Sequence, residues 1–136
     1  MQATWSIDVD TALSVVRITL RGFFTPADVI AFEVDRDRAH ARLRCAPNQH
    51  LTLTDVREMK IQPQDTVHAF QALLSNKRHH SRKIAFITAS SLARMQLLRA
   101  AESRTARMFT DPDEAQRWLF EDEPVMPLRP AMAAAR

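Results

Sequence analysis

The first part of the chain is dominated by alternating apolar and polar residues, the pattern of strands with one buried face. Residues 5–9 alternate strictly and predict a first strand, and residues 13–21, which are rich in β-branched side chains, predict a second. Residues 10–12 leave room only for a turn between the two, so we expect an antiparallel hairpin. Gly22, the single glycine of the chain, follows the second strand and predicts a sharp bend.

Beyond the hairpin the pattern switches repeatedly between helical and strand spacing. Three predicted helix starts carry a proline with a capping residue or an acid close by, at Pro26, Pro63 and Pro112. Short apolar or alternating segments between the helices predict three further strands. The predicted elements are helix 26–41, strand 50–54, a helix from 63, strand 83–88, a helix from 90 or 91 to 104, strand 105–109 and a helix from 112.

This order of elements predicts an α/β fold. Each strand after the hairpin is followed by a helix, which implies a mixed, mostly parallel sheet with right-handed crossovers and with helices packed on it. A length of 136 residues suits one hydrophobic core, so we expect one domain over residues 1–121. Prolines at 124, 127 and 130 forbid a continuous helix, which predicts a flexible Pro/Ala-rich tail over residues 122–136.

Composition and charge narrow the classes of function. With 46% hydrophobic and 26% charged residues the chain has the balance of a globular protein. It has no apolar run of the roughly 20 residues that span a bilayer and no signal-peptide pattern, so a cytoplasmic protein without a transmembrane segment is predicted. Acids interrupt the bases almost throughout despite a net charge of +3, which argues against nucleic-acid binding. Cys45 is the single cysteine and excludes an intramolecular disulfide.

The scarcity of glycine also excludes several catalytic motifs. A nucleophile elbow, a Walker phosphate loop and a dinucleotide-binding fingerprint each need more than one glycine. The sequence offers no assignable set of nucleophile, base and orienting group. We therefore expect a non-enzymatic protein with no cofactor and no metal site.

Two segments carry a resemblance to a known family. Residues 22–28, which read GFFTPAD, follow the hairpin, and residues 107–119, which read RMFTDPDEAQRWL, form a closing strand and helix. Over residues 5–119 the chain resembles the STAS superfamily, and especially its SpoIIAA-like bacterial branch, which shares a fold with CRAL-TRIO lipid-binding domains. The resemblance implies a SpoIIAA-like sheet built from an N-terminal hairpin and successive β-α units. It also implies a regulatory or protein-interaction module, with a protein partner.

The same resemblance points to the start of the second helix. In phosphorylated anti-sigma-factor antagonists, which are STAS domains, a Ser or Thr stands there. The matching position here falls near Gln64 or Asp65, Thr66 is the nearest hydroxyl, and the usual Asp-Ser-Ser/Thr-Gly pattern is absent. The resemblance therefore implies a module without the usual phosphorylation switch.

A candidate partner surface follows from the predicted strand ends, because open parallel sheets bind ligands outside the carboxyl ends of their strands. It comprises Asp55, Arg57, Gln64, Asp65 and Thr66. The structural alternatives are a loop ion pair between Asp55 and Arg57, and an acid at Asp65 that complements the helix dipole.

The densest basic segment precedes the fourth strand and forms a candidate anion patch of Lys77, Arg78, His79, His80 and Arg82. Cations at a helix end also complement its dipole, so a solvated surface is the structural alternative. Adjacent histidines point in different directions and do not have the spacing that chelates one ion on a helix.

A second function class stays open beside the protein-interaction module. Apolar side chains of the first two helices, such as Phe32, Phe70 and Leu74, face the predicted sheet. If they leave a cavity, the domain would bind a lipid or another small apolar ligand; otherwise they are ordinary core residues. A homodimer is a further open alternative.

Overall fold

A computed structural model describes residues 2–89 and 105–121. The strands are β1 (Thr4–Asp10), β2 (Val15–Gly22), β3 (Leu51–Met59), β4 (Lys83–Ile87) and β5 (Ala106–Phe109); the helices are α1 (Pro26–His40), α2 (Gln64–Leu74) and α3 (Pro112–Phe120). The helix predicted from 90 or 91 to 104 and the tail predicted over 122–136 lie outside the described residues. None of the helices described is long and apolar enough to cross a membrane.

The five strands form one sheet in the order β1-β2-β3-β4-β5. The hairpin pair β1-β2 is antiparallel and every other neighbouring pair is parallel, which confirms the predicted mixed, mostly parallel sheet. At the hairpin turn Ser14 has a φ of 55° and the side chain of Asp10 accepts a hydrogen bond from the Leu13 amide. Gly22 has a φ of 85°, a left-handed conformation that glycine adopts without steric cost, at the predicted bend.

Strand β3 is longer than its predicted extent of residues 50–54. It continues to Met59 because β2 and β3 resume their pairing after a β-bulge between Thr19 and Arg21, which places Gly22 opposite Met59. Asp55 and Arg57 therefore lie within a strand rather than beyond its end, which corrects the predicted boundary.

The two faces of the sheet carry separate hydrophobic clusters. Helices α1 and α2 cover one face, where Phe24, Val29 and Phe32 pack with strand residues such as Ile18 and Phe86. Helix α3 covers the other face. The buried residues there are Val15, Leu51, Ala85, Ile87, Ala115, Trp118 and Leu119.

Helix ends are fixed by side chains close to the sheet. Thr25 and Asp28 form a reciprocal capping box at the start of α1, as their spacing predicts. Lys83, one of the chain's three lysines, is buried at the start of β4, and its ammonium donates to the carbonyl of Trp118 at 2.7 Å. A cation thus satisfies a carbonyl at the end of α3, where the helix dipole favours positive charge.

The loops after β2 and β3 are tied together by a buried glutamine and a buried threonine. The side chain of Gln62 accepts a hydrogen bond from the Phe24 amide at 2.8 Å and donates to the Gly22 carbonyl at 2.9 Å. The hydroxyl of Thr66, which is fully buried, donates to the Phe24 carbonyl at 2.7 Å. These bonds hold α1 and α2 in register over the sheet at its carboxyl edge.

We expect Gln62→Ala to lower the free energy of unfolding by about 1–3 kcal/mol, because it leaves the buried Phe24 amide and Gly22 carbonyl without partners. The matched control is Gln64→Ala, which removes the same side chain from an exposed position and should change stability by no more than about 0.5 kcal/mol. Urea denaturation of both variants at neutral pH measures the difference. An equal decrease in the free energy of unfolding of both variants would contradict a stabilising role for the hydrogen bonds of Gln62.

Candidate functional site

A cavity of about 990 Å³ lies between the sheet and helices α1 and α2. Most of its wall is apolar, and Phe32, Phe70 and Leu74, the helix residues that the sequence places toward the sheet, all line it. Its volume is at the upper end of the roughly 300–1,000 Å³ that is common for small-molecule sites. The described residues therefore leave a cavity of the size that small-molecule sites commonly have.

One end of this cavity is polar. Its lining there includes Arg36 and His40 near the end of α1, Thr52 near the start of β3, His79 and Ser81. Those segments meet at the amino ends of β3 and β4. The polar end thus lies at the opposite edge of the sheet from the strand ends on which the predicted partner surface was based.

Three histidine side chains meet at this polar end. The ring centroid of His40 lies 4.6 Å from that of His50 and 5.4 Å from that of His79. The Nδ1 atoms of His40 and His79 are 3.4 Å apart, and Nε2 of His79 lies 3.5 Å from Oδ1 of Asp37. One ligand atom each from Asp37, His40 and His79 lies within 4.8 Å of the other two, close enough for these residues to hold a metal ion.

His50 is held by hydroxyl groups. Its Nε2 atom lies 3.2 Å from Oγ of Ser81, which in turn lies 2.6 Å from Oγ1 of Thr52. This short network crosses from the segment before β4 to β3 and gives the His50 ring a fixed position beside His40.

Arg36 brings a charge into the same place. The residue is 7% exposed, and its Nη2 atom lies 3.6 Å from Oδ1 of Asp37 and 3.9 Å from Oε2 of Glu33, beyond hydrogen-bond distance. Among the described residues, Nε and Nη2 of Arg36 and Oδ1 of Asp37 are buried and have no hydrogen-bond partner. Buried polar atoms without partners are costly, so this cluster is a candidate for binding a ligand or an ion.

Burial and the neighbouring cationic groups keep two of the histidines neutral. Burial, followed by His50, Arg36 and His79, lowers the pKa of His40 from 6.5 to about 3. Burial, followed by Arg36 and His79, also lowers the pKa of His50. Burial acts on Arg36 to lower its pKa too, but a guanidinium remains charged in proteins. At pH 7 the neutral rings of His40 and His50 therefore lie beside the poorly hydrated guanidinium of Arg36.

The predicted partner surface is only partly exposed. Arg57 donates two side-chain hydrogen bonds to Asp55, at 2.7 and 3.1 Å, so these residues form the ion pair of the structural alternative. Burial acts to raise the pKa of Asp55, but the bonds from Arg57 lower it overall. Gln64 and Asp65 are exposed in the first turn of α2. Thr66 is fully buried, and its hydroxyl donates to the Phe24 carbonyl instead of facing solvent beside Gln64 and Asp65.

The predicted anion patch divides between the surface and the cavity. Arg78, His80 and Arg82 are exposed, whereas His79, in the short 3-10 helix Lys77–His79, is half-buried against His40 and Asp37. Both adjacent histidines line the cavity, but His79 is the one that lies against His40 and Asp37, whereas His80 is more exposed.

Sequence spacing alone does not group the residues of the polar end, because they come from α1, the start of β3 and the segment before β4. The available signal was local: Arg36 and His40 stand four residues apart on α1, and Asp37 and His40 three apart, so they share a helix face. His50 and His79 carry no comparable signal in the sequence.

Comparison with known proteins supports the fold. No protein-family model matches the chain, and no curated protein matches it. An uncharacterized protein of the DUF3478 family with a SpoIIAA-like fold, from Shewanella loihica PV-4, aligns with a TM-score of 0.67 and 16% identity over 88% of this chain and 96% of that one. An anti-sigma factor antagonist from Mycobacterium paratuberculosis aligns with a TM-score of 0.60 and 12% identity over 87% of this chain and 94% of that one. The predicted SpoIIAA-like fold is confirmed.

The depressed pKa of His40 makes stability depend on pH. Above pH 6.5 both the folded and the unfolded chain hold this imidazole neutral; as the pH falls from 6.5 toward 3, only the unfolded chain takes up the proton, so the folded state loses stability. Between pH 6.5 and pH 5 the free energy of unfolding should therefore fall less steeply in His40→Asn than in the wild type, by about 1 kcal/mol per pH unit. The exposed neighbour of the cluster, His80, provides the control His80→Asn, which should keep the wild-type slope. Urea denaturation in metal-free buffer at several pH values measures the slopes, and identical slopes for all three proteins would contradict the burial of His40.

Proposed function

We propose that this protein is a non-enzymatic binding module that holds an elongated apolar ligand with an anionic end group. The observation that carries this proposal is the combination, in one cavity, of an apolar wall with the buried Arg36 guanidinium at one end. An apolar ligand would gain about 0.8 kcal/mol for each methylene group that it buries. The cavity has the volume to take several such groups.

Arg36 supplies the recognition of the anionic end. Its Nε and Nη2 atoms are buried without hydrogen-bond partners among the described residues, and both are donors. A carboxylate accepts two parallel hydrogen bonds from a guanidinium, and such charge-assisted bonds are strong where water is excluded. The neutral His40 adds no competing positive charge but offers a ring nitrogen at the same end. A fatty carboxylate is therefore the simplest ligand chemistry that fits.

A regulatory protein-interaction module of the STAS type is the second candidate. Its support is the similarity in fold to an anti-sigma factor antagonist and a local apolar surface at the carboxyl edge. Phe23 is 49% exposed and Ile61 is 67% exposed, on the two loops that Gln62 ties together, and Gln64 and Asp65 follow at the start of α2. Exposed apolar side chains rimmed by polar ones are typical of a protein-binding surface. The partner would be another protein or a second copy of this chain.

Such a module would work without phosphorylation at the start of α2. The Thr66 hydroxyl is fully buried and already donates to the Phe24 carbonyl, so a kinase would have to unfold the turn to reach it. This supports the proposal that any regulation depends on binding rather than on a phosphate at that position.

For the ligand-binding proposal, we expect wild-type protein to bind dodecanoate and dodecanol, and Arg36→Met to weaken dodecanoate binding by about 10- to 100-fold while leaving dodecanol binding unchanged. The range follows from about 1.5–3 kcal/mol for hydrogen bonds to a charged group. Methionine keeps a long apolar side chain, and replacing a buried charge in this way is often neutral for stability. Arg38→Met, two residues along the same helix and exposed, is the control. Isothermal titration calorimetry measures each affinity; failure of the wild type to bind either compound would overturn the proposal.

For the protein-interaction candidate, a photo-reactive amino acid placed at position 64 should cross-link the chain to one defined protein in living cells of its host. The same amino acid at position 78, on an exposed residue at the opposite edge of the sheet, should not. Mass spectrometry of the cross-linked band identifies another protein or a second copy of the chain. The same products from both positions, or none from position 64, would count against a contact surface at the start of α2.

A further inference from the structure

The polar end of the cavity contains a second unsatisfied group besides Arg36. Oδ1 of Asp37 is buried and has no hydrogen-bond partner among the described residues, although Nε2 of His79 lies 3.5 Å away. With His40, these residues present two imidazoles and one carboxylate to a common space. We propose that Asp37, His40 and His79 bind a divalent transition-metal ion, with Zn²⁺ as the test case. This proposal is independent of the carboxylate ligand proposed above.

The spacing of the nitrogen atoms fits such an ion. With Zn–N bonds of about 2.0–2.1 Å, two ligands of a tetrahedral ion lie about 3.3 Å apart. The Nδ1 atoms of His40 and His79 are separated by 3.4 Å. The two rings therefore need no large movement to share one ion between these atoms.

The carboxylate comes from the same helix as one of the imidazoles. Asp37 and His40 stand three residues apart on α1, so both side chains leave the same face of a regular helix. All three ligand atoms lie within 4.8 Å of one another, and rotation of the Asp37 side chain would bring its oxygen to the shorter separation of a coordinated ion. Binding would also satisfy the buried Oδ1 atom of Asp37.

The ligand types select the class of metal. Imidazole nitrogens favour zinc and the neighbouring transition metals, whereas Mg²⁺ and Ca²⁺ prefer oxygen ligands. The Arg36 guanidinium, 3.6 Å from the Asp37 carboxylate, opposes the ion and limits its affinity. Three protein ligands leave a fourth position, and His40 and His79 both line the cavity, so that position opens toward it.

The test uses protein freed of metal with a chelator and dialysed, then titrated with Zn²⁺ and, separately, Mg²⁺ by isothermal titration calorimetry. We expect one Zn²⁺ per chain and no Mg²⁺ binding. Asp37→Asn and His79→Gln, which keep side-chain size, should each weaken Zn²⁺ binding at least tenfold. His80→Gln, the adjacent exposed histidine, should bind Zn²⁺ as the wild type does.

Titration with Co²⁺ provides a second measurement that does not depend on heat. A tetrahedral Co²⁺ site gives intense visible absorption, which should appear in the wild type and in His80→Gln and disappear in Asp37→Asn. Circular dichroism of each variant shows whether it is folded. Weakening by His80→Gln as large as by His79→Gln would assign the binding to the exposed basic segment and overturn the site, as would a wild type that binds no Zn²⁺.

Discussion

The buried guanidinium of Arg36 determines the character of the cavity. A charge removed from water costs several kcal/mol unless other groups compensate it, and the two acids near Arg36 lie at 3.6 and 3.9 Å, too far for hydrogen bonds. Burial of the site, with a smaller contribution from the same charge, lowers the pKa of His40 and of His50. One incompletely compensated cation thus sets the polar end of the cavity apart from its apolar wall.

The two edges of the sheet differ in whether their buried polar groups have hydrogen-bond partners. At the carboxyl edge, Thr25 caps α1, Gln62 and Thr66 tie the loops together, and Asp55 pairs with Arg57. These groups already have structural partners. At the amino edge, buried atoms of Arg36 and Asp37 have no hydrogen-bond partner in the part of the chain that the structure describes, although open α/β sheets more often bind ligands at the other edge.

The sequence predicts the fold well because local rules dominate it. Alternation predicts β1 and β-branched residues predict β2. The capping box at Thr25 marks the start of α1, and the apolar spacing of Phe70 and Leu74 predicts the face of α2 that lines the cavity. The length of β3 could not be predicted in the same way, because its last residues pair across a bulge with Gly22. That pairing depends on a register that only the assembled sheet defines.

The polar cluster is harder to predict because it depends on long-range convergence. Arg36 falls on the same helical face as Val29 and Phe32, which would bury it. Acidic residues surround it in the sequence, however, so the pattern fits an exposed arginine equally well. The residues that surround it in the fold include His50 and His79, which belong to other segments of the chain. Similarly, nothing local distinguishes Lys83, which caps α3 from the start of β4, from the exposed bases before it.

The two unsatisfied groups are linked by charge. Asp37 partly balances Arg36 across 3.6 Å, so an ion that coordinates Asp37 takes up some of the negative charge that now faces the guanidinium. Arg36 would then be left with less compensation and would interact more strongly with an anionic end group in the cavity. By thermodynamic reciprocity the anion would favour the metal ion by the same factor, because both act on one electrostatic balance. If both proposed ligands bind, the charges of two neighbouring residues on α1 would therefore couple them without any change in the fold.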